Sequence, residues 1–141
     1  MLYIGSDHAG FDQKQKIIKY LKKHNIDFVD VGTFDKQSTD YPIFARKVCE
    51  NIKTEEDKGV LICGSGIGMS IMANRFNHIR ASLAVNKKMA YLARHHNNAN
   101  VLVIQGRNKF NLCNILILKT FLKENFDGGR HIKRIEMLKV E

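Results

Sequence analysis

Val60-Leu61-Ile62-Cys63-Gly64-Ser65-Gly66-Ile67-Gly68 is the stretch whose reading decides the fold of this 141-residue chain. An apolar run of strand type ends at Cys63 and breaks into a turn with glycine at alternate positions. A helix-like stretch follows, from Met69 to Asn74. Glycines leave the turn almost bare, so backbone N–H groups can approach a ligand closely. The helix adds the unpaired amides of its first turn and the positive end of its dipole. A thiol therefore stands beside a group of amide donors, which stabilise anions, including an oxyanion or a thiolate. That pairing suits proton abstraction next to a carbonyl. A plain tight turn with a buried cysteine satisfies the same residues, and this segment alone leaves both readings open.

Two other glycine motifs do not fit. A P-loop needs Gly-Lys-Ser/Thr after its turn, and none is present. The dinucleotide fingerprint needs a third glycine where Met69 stands, and an acid about twenty residues on. There the strand-like Ala81 to Val85 is followed by Asn86 and Lys87.

Outward from this unit the chain alternates regularly. Strands are expected at Leu2 to Ser6, Asp27 to Val31, Gly59 to Cys63, Ala81 to Val85 and Val101 to Gln105. Helices are expected at Phe11 to His24, Tyr41 to Lys53, Lys87 to about His95, Phe110 to Lys123 and Ile132 to Val140. Five strands alternating with helices predict a three-layer α/β/α Rossmann-like fold around a five-stranded parallel sheet. Residues 1–141 read as a single domain, with segment 126–141 packing as a helix or arm. In such sheets ligands bind beyond the strands' C-terminal ends, near a switch in strand order. That rule selects Gly5-Ser6-Asp7-His8-Ala9-Gly10, Cys63 to Gly68, and Gln105-Gly106-Arg107. Acid, imidazole, thiol, hydroxyl and guanidinium groups then share one edge. His8 taken alone could be a helix-capping neighbour.

Composition sets limits. Hydrophobic residues make up 44% and charged residues 26% of the chain, ordinary for a globular protein. No apolar run is long enough to span a bilayer, and no basic leader precedes the first strand, so a cytoplasmic protein with no membrane partner is expected. Three widely spaced cysteines argue for a reducing compartment, with Cys49 and Cys113 expected in the core. No Cys/His spacing resembles a zinc site, and no metal is expected. The net charge of +9 is spread over helix faces such as Lys14, Lys16, Lys19, Lys22 and Lys23, with a denser group at Arg130, His131, Lys133, Arg134 and Lys139. Nucleic-acid binding favours a clustered basic stripe with interleaved aromatics, so no nucleic-acid partner is expected. A positive field that draws in a small anion suits the glycine turn better.

Several separated motifs together resemble one family. Gly5-Ser6-Asp7-His8-Ala9-Gly10-Phe11, Asp30-Val31-Gly32-Thr33, Thr39-Asp40-Tyr41-Pro42, Leu61 to Gly68, His96-Asn97-Asn98-Ala99-Asn100-Val101 and Gly128-Gly129-Arg130-His131 look like the ribose-5-phosphate isomerase B family. That family also includes galactose- and allose-6-phosphate isomerases. The resemblance runs in order from Ile4 to Arg134. It implies cofactor-free interconversion of ribose 5-phosphate and ribulose 5-phosphate through a cis-enediol(ate).

Carried over position by position, the resemblance makes Cys63 the base that moves a proton between two carbons. Relatives without this cysteine use a glutamate just past the glycine turn; Met69 stands there and cannot accept a proton. Gly64, Ser65, Gly66, Ile67 and Gly68 hold the enediolate oxygen. His96, paired with Asp7 or assisted by Ser65, opens the furanose ring, and the following Asn97-Asn98-Ala99-Asn100 sets the register on His96 instead of His95. Asn97 binds sugar or enediolate oxygens, Tyr41 lines the pocket, and His8, Arg107, Arg130 and Arg134 bind the phosphate. Arg130 and Arg134 share one face if the last helix begins early. A solvated basic tail is the alternative for that pair. The resemblance implies a homodimer, with pairing into a tetramer left open. Cys63 after a strand and His96 after a helix fall toward opposite edges of the sheet, so the active sites are expected to be shared between the two chains. The rivals are an allose- or galactose-6-phosphate isomerase and a non-catalytic phosphate- or nucleotide-binding module.

Overall fold

A computed structural model describes residues 1–107 and 112–140. Five strands, β1 (Leu2–Ser6), β2 (Phe28–Asp30), β3 (Lys58–Cys63), β4 (Ala81–Leu83) and β5 (Val101–Gln105), form one parallel sheet in the order β2-β1-β3-β5-β4. The helices are α1 (Phe11–Lys23), α2 (Tyr41–Asn51), α3 (Ile67–Ala73), α4 (Lys87–Asn97), α5 (Leu112–Lys123) and α6 (Arg130–Glu136). This is the three-layer α/β/α fold expected from the alternation.

The central strands carry apolar residues on both faces because both are covered. Val60, Ile62, Leu102 and Ile104 pack with Ile17, Leu21, Ile117, Leu118 and Phe121 of α1 and α5. Leu61, Val101 and Val103 face the other way, onto Phe44, Val48 and Cys49 of α2 and Met69 and Ala73 of α3. Continuous apolar strands of this kind are the mark of a doubly covered parallel sheet.

The chain leaves β1 toward β2 on one side and leaves β3 toward β4 on the other, so strand order switches between β1 and β3. The loops after these two strands therefore border a crevice. Helix α4 returns from the C-terminal to the N-terminal edge of the sheet before β5 begins opposite Gly59.

Several boundaries differ from expectation. Helix α3 starts at Ile67, so Ile67 and Gly68 belong to its first turn. Helix α4 runs through His96 to Asn97 and is closed by Asn98 in the left-handed region, φ 44°. Helix α6 begins at Arg130, straight after Gly128 and Gly129 at φ 66° and 56°. The expected start of α5 at Phe110 lies outside the described residues. Cys49 is buried as expected, but Cys113 is exposed. The core face of α5 is set by Asn114, Ile117, Leu118 and Phe121, and Cys113 lies on the outer side, one turn before the exposed Leu116.

Candidate active site

Cys63 ends β3 at the bottom of a cavity of about 530 Å³ lined by Asp7, His8, Tyr41, Ser65, Gln105 and Arg107. Its thiol belongs to a residue only 4% exposed. The loops after β1, β3 and β5 meet here, at the switch between β1 and β3.

Local backbone chemistry holds each group in place. Gly66 sits at φ 79°, and a Cβ there would stand 2.6 Å from Leu83 Cδ1, so only glycine closes the turn this tightly. The Ser65 hydroxyl accepts the Ile67 N–H at 3.2 Å, which occupies one amide of the turn. An Asp7 carboxylate oxygen accepts the Gly10 N–H at 3.0 Å, capping the entry to α1. His8 Nδ1 accepts the Thr39 N–H at 3.1 Å. The same nitrogen lies 3.2 Å from the Thr39 carbonyl oxygen, so the Thr39 backbone holds the ring in place whichever nitrogen carries the proton. The Arg107 side chain lies over Gly64, 3.5 Å from where a Cβ would be, and the Tyr41 ring covers Gly68.

A buried lysine braces this edge. Lys14 donates to Asp30 and to the Thr33 carbonyl, fixing the loop that leads to Thr39 and hence to His8. Burial pushes its amine below the ordinary lysine value, against the opposing pull of Asp30.

His96 belongs to a second cluster, in a hollow of about 250 Å³ lined by Asn97, His131, Arg134, Ile135 and Leu138. The His96 and His131 rings stack with centroids 4.4 Å apart and planes 14° apart. Burial, together with His96, Arg130 and Arg134, pushes the His131 imidazole below its ordinary value. Because α6 starts at Arg130, Arg130 and Arg134 are four residues apart in one helix and share a face. His95 next door has a different task. Its Nε2 meets Glu124 at 2.7 Å and its Nδ1 meets Asp127 at 2.5 Å, and the two carboxylates raise its affinity for a proton.

The structure thus brings Asp7, His8, Tyr41, Cys63, Gly64, Ser65, Gly68 and Arg107 together, and separately groups His96, Asn97 and Arg134, with Arg130 on the same helix as Arg134. It does not bring Asp7 or Ser65 to His96 within one chain. Cys63 ends β3 beyond the C-terminal edge, whereas α4 delivers His96 to the N-terminal edge, roughly 13–17 Å of strand away. Gln105 and His131 join the two clusters; both stand in segments picked out from the sequence, but neither is assigned a role there. Gln105 pairs in register with Cys63, a signal that needed the strand pairing. His131 was visible only as part of a motif.

His96, Asp127 and His131 are the grouping of possible metal ligands found among the described residues, with ligand atoms within 4.8 Å of one another. Their geometry suits an ion poorly. Stacked rings present their in-plane lone pairs side by side, Asp127 Oδ1 already meets His95, and Arg130 and Arg134 add positive charge nearby.

Comparison with known proteins gives a consistent picture. The family described as Ribose/Galactose Isomerase matches residues 2–138. A probable ribose-5-phosphate isomerase B of Mycoplasma genitalium is 42% identical over 97% of this chain and 92% of its own length. The ribose-5-phosphate isomerase B of Escherichia coli is 38% identical over 95% and 91%. Among solved structures, a ribose 5-phosphate isomerase from Thermotoga maritima superposes with a TM-score of 0.94 at 47% identity, covering 98% of this chain and 96% of that one. The Mycoplasma genitalium enzyme with bound ribulose 5-phosphate superposes with a TM-score of 0.87 at 41% identity, covering 97% and 92%.

Proposed function

Because the chain belongs to the ribose/galactose isomerase family and is an isomerase, we propose that it interconverts ribose 5-phosphate and ribulose 5-phosphate. The observation that carries this reading is the cavity itself, a thiol at the switch point between an anion-suited loop and a glycine turn. A relative of the same fold holds ribulose 5-phosphate.

In this reading His96 opens the furanose by moving a proton between the ring oxygen and the hydroxyl on C1. The Cys63 thiolate then takes the proton from C2 of the open aldose, and the electron pair of the broken C–H bond forms the C1–C2 double bond of a cis-enediolate. Negative charge develops on O1, where the Gly64–Gly68 turn can donate amides. The thiol returns its proton to C1 while the O2 proton passes to the O1 oxyanion, leaving a hydroxymethyl group at C1 and the ketone at C2. Atoms and electrons balance without a redox partner, and no cofactor takes part. His8 and Arg107 bind the phosphate from one side, and Arg130 and Arg134 from the other.

Both halves can serve one sugar if two chains pair, so the proposed enzyme is a homodimer with His96 and Asn97 reaching the partner's Cys63 cavity. Ile67 and Ile71, one turn apart on α3 beside that cavity, are 55% and 58% exposed. An apolar ridge there suits coverage by a second copy. The test of substrate is turnover of ribose 5-phosphate against allose 6-phosphate and galactose 6-phosphate. Preference for the pentose is expected; a higher kcat/KM for either hexose would reassign the substrate within the family.

A further inference from the structure

His95 and His96 are neighbours on α4, yet they are held in opposite ways. Two carboxylates grip both nitrogens of His95. Among the described residues no side-chain hydrogen bond holds His96; its ring is fixed by its stack on His131. His131 is in turn well placed to hold something. It is 8% exposed, sits in the first turn of α6, and packs on Phe126 at 6.4 Å. Its backbone N–H is bonded to Gly128 O at 3.1 Å.

We propose that His131 is a positioning residue for ring opening, its imidazole setting the plane of His96 while leaving both His96 nitrogens free for the sugar. This rests on the reading of His96 given above. A stacked partner fixes orientation without occupying a hydrogen-bonding nitrogen, which a group that must both take and give a proton cannot spare. Burial, together with His96, Arg130 and Arg134, disfavours the charged form of His131, which suits it to a stacking role beside other basic groups. Arg130 and Arg134 ride on the same helix, so one stack also ties the imidazole to the phosphate grip. Losing it leaves the acid–base group present but misaimed, and small misplacements cost catalysis steeply.

The chemistry supplies a clean test. Ribose 5-phosphate is a furanose and must open, whereas ribulose 5-phosphate is open-chain, because the hydroxyl that could close a five-membered ring on C2 carries the phosphate. Exchange of solvent deuterium into C1 of ribulose 5-phosphate needs only C–H cleavage to Cys63, exchange at sulfur and return to carbon. His131→Ala should lower kcat on ribose 5-phosphate about tenfold to hundredfold, with KM and the exchange rate within about threefold. Retained exchange also shows that the variant has folded and kept its site. His131→Phe, which keeps the stack but none of the nitrogens, should restore most of the turnover. The proposal is overturned if exchange falls in step with turnover, if His131→Ala leaves turnover intact, or if Phe fails to restore it. The control His96→Ala separates the two claims: full aldose turnover in that variant would remove ring opening from His96, whatever His131 does.

Discussion

Gly68→Ala offers a quantitative probe of the Cys63 cavity. Gly68 lies in the first turn of α3 without a positive φ, and a Cβ there would stand 2.5, 2.7 and 2.9 Å from three Tyr41 ring carbons. Alanine is the better helix former by about 1 kcal/mol, less at a helix start. The clash opposes that gain. Tyr41 is 39% exposed, so its ring can swing outward at the loss of its packing on the turn. Stability should then change by under about 1 kcal/mol while the cavity loses a wall. Removing a contact of about 1.4 kcal/mol from the transition state lowers kcat/KM about tenfold. Tyr41→Ala removes the clash, so in that background Gly68→Ala should stabilise by about 0.5–1 kcal/mol. The two substitutions should couple by about 1 kcal/mol in a double-mutant cycle read by urea unfolding. Equal effects of Gly68→Ala in both backgrounds would show that the Tyr41 ring does not rest on the turn.

Four further outcomes are expected. Cys63→Ala should abolish isomerisation while substrate affinity stays within about tenfold, since the thiol moves a proton and contributes little binding; isothermal titration beside a turnover assay checks this. Iodoacetamide should inactivate through Cys63 with protection by substrate, should modify the exposed Cys113 regardless of substrate, and should spare Cys49, buried and pushed up to about 12. Arg130→Ala or Arg134→Ala should weaken binding of the phosphorylated sugar by about 1.5–3 kcal/mol and of ribose far less, and equal losses for both ligands would assign the pair to the fold. His95 binds its proton more tightly folded than unfolded, so its contribution to stability is full below about pH 6.5 and is lost as pH rises through the folded value. Between pH 6 and 9 the urea midpoint of the wild type should therefore fall more than that of His95→Gln, and parallel curves would contradict the pairing with Glu124 and Asp127.

Much of this was legible in the sequence because the physics is local. Alternating apolar runs and glycine turns set the strand ends near Ser6, Cys63 and Gln105, and each of those ends borders the cavity. What was not legible depended on long-range pairing. The last turn of α4 extends to Asn97 because Asn98 takes the left-handed cap, whose N–H bonds back to Arg94 O, so His96 is a helical residue and not a loop one. Cys113 looked like a core residue within an apolar helix, and only the packing of α5 on β5 decided which side faces solvent. His131 needed the docking of α6 on α4 before its stack with His96 could be seen. The resemblance pairs Asp7 with His96; within one chain Asp7 Oδ1 caps Gly10, and a pairing with His96 would require the second chain.

The central claim is that one active site draws Cys63 from one chain and His96 from another. Complementation measures it directly: inactive Cys63→Ala and inactive His96→Ala proteins are unfolded together, refolded, and assayed once mixed dimers are confirmed by native mass spectrometry. In a mixed dimer one site collects both lesions and the other collects none. Random pairing makes half the dimers mixed, so about a quarter of wild-type activity should return for an isologous dimer with independent sites. Mixed dimers without activity would place His96 in the site of its own chain and contradict the account.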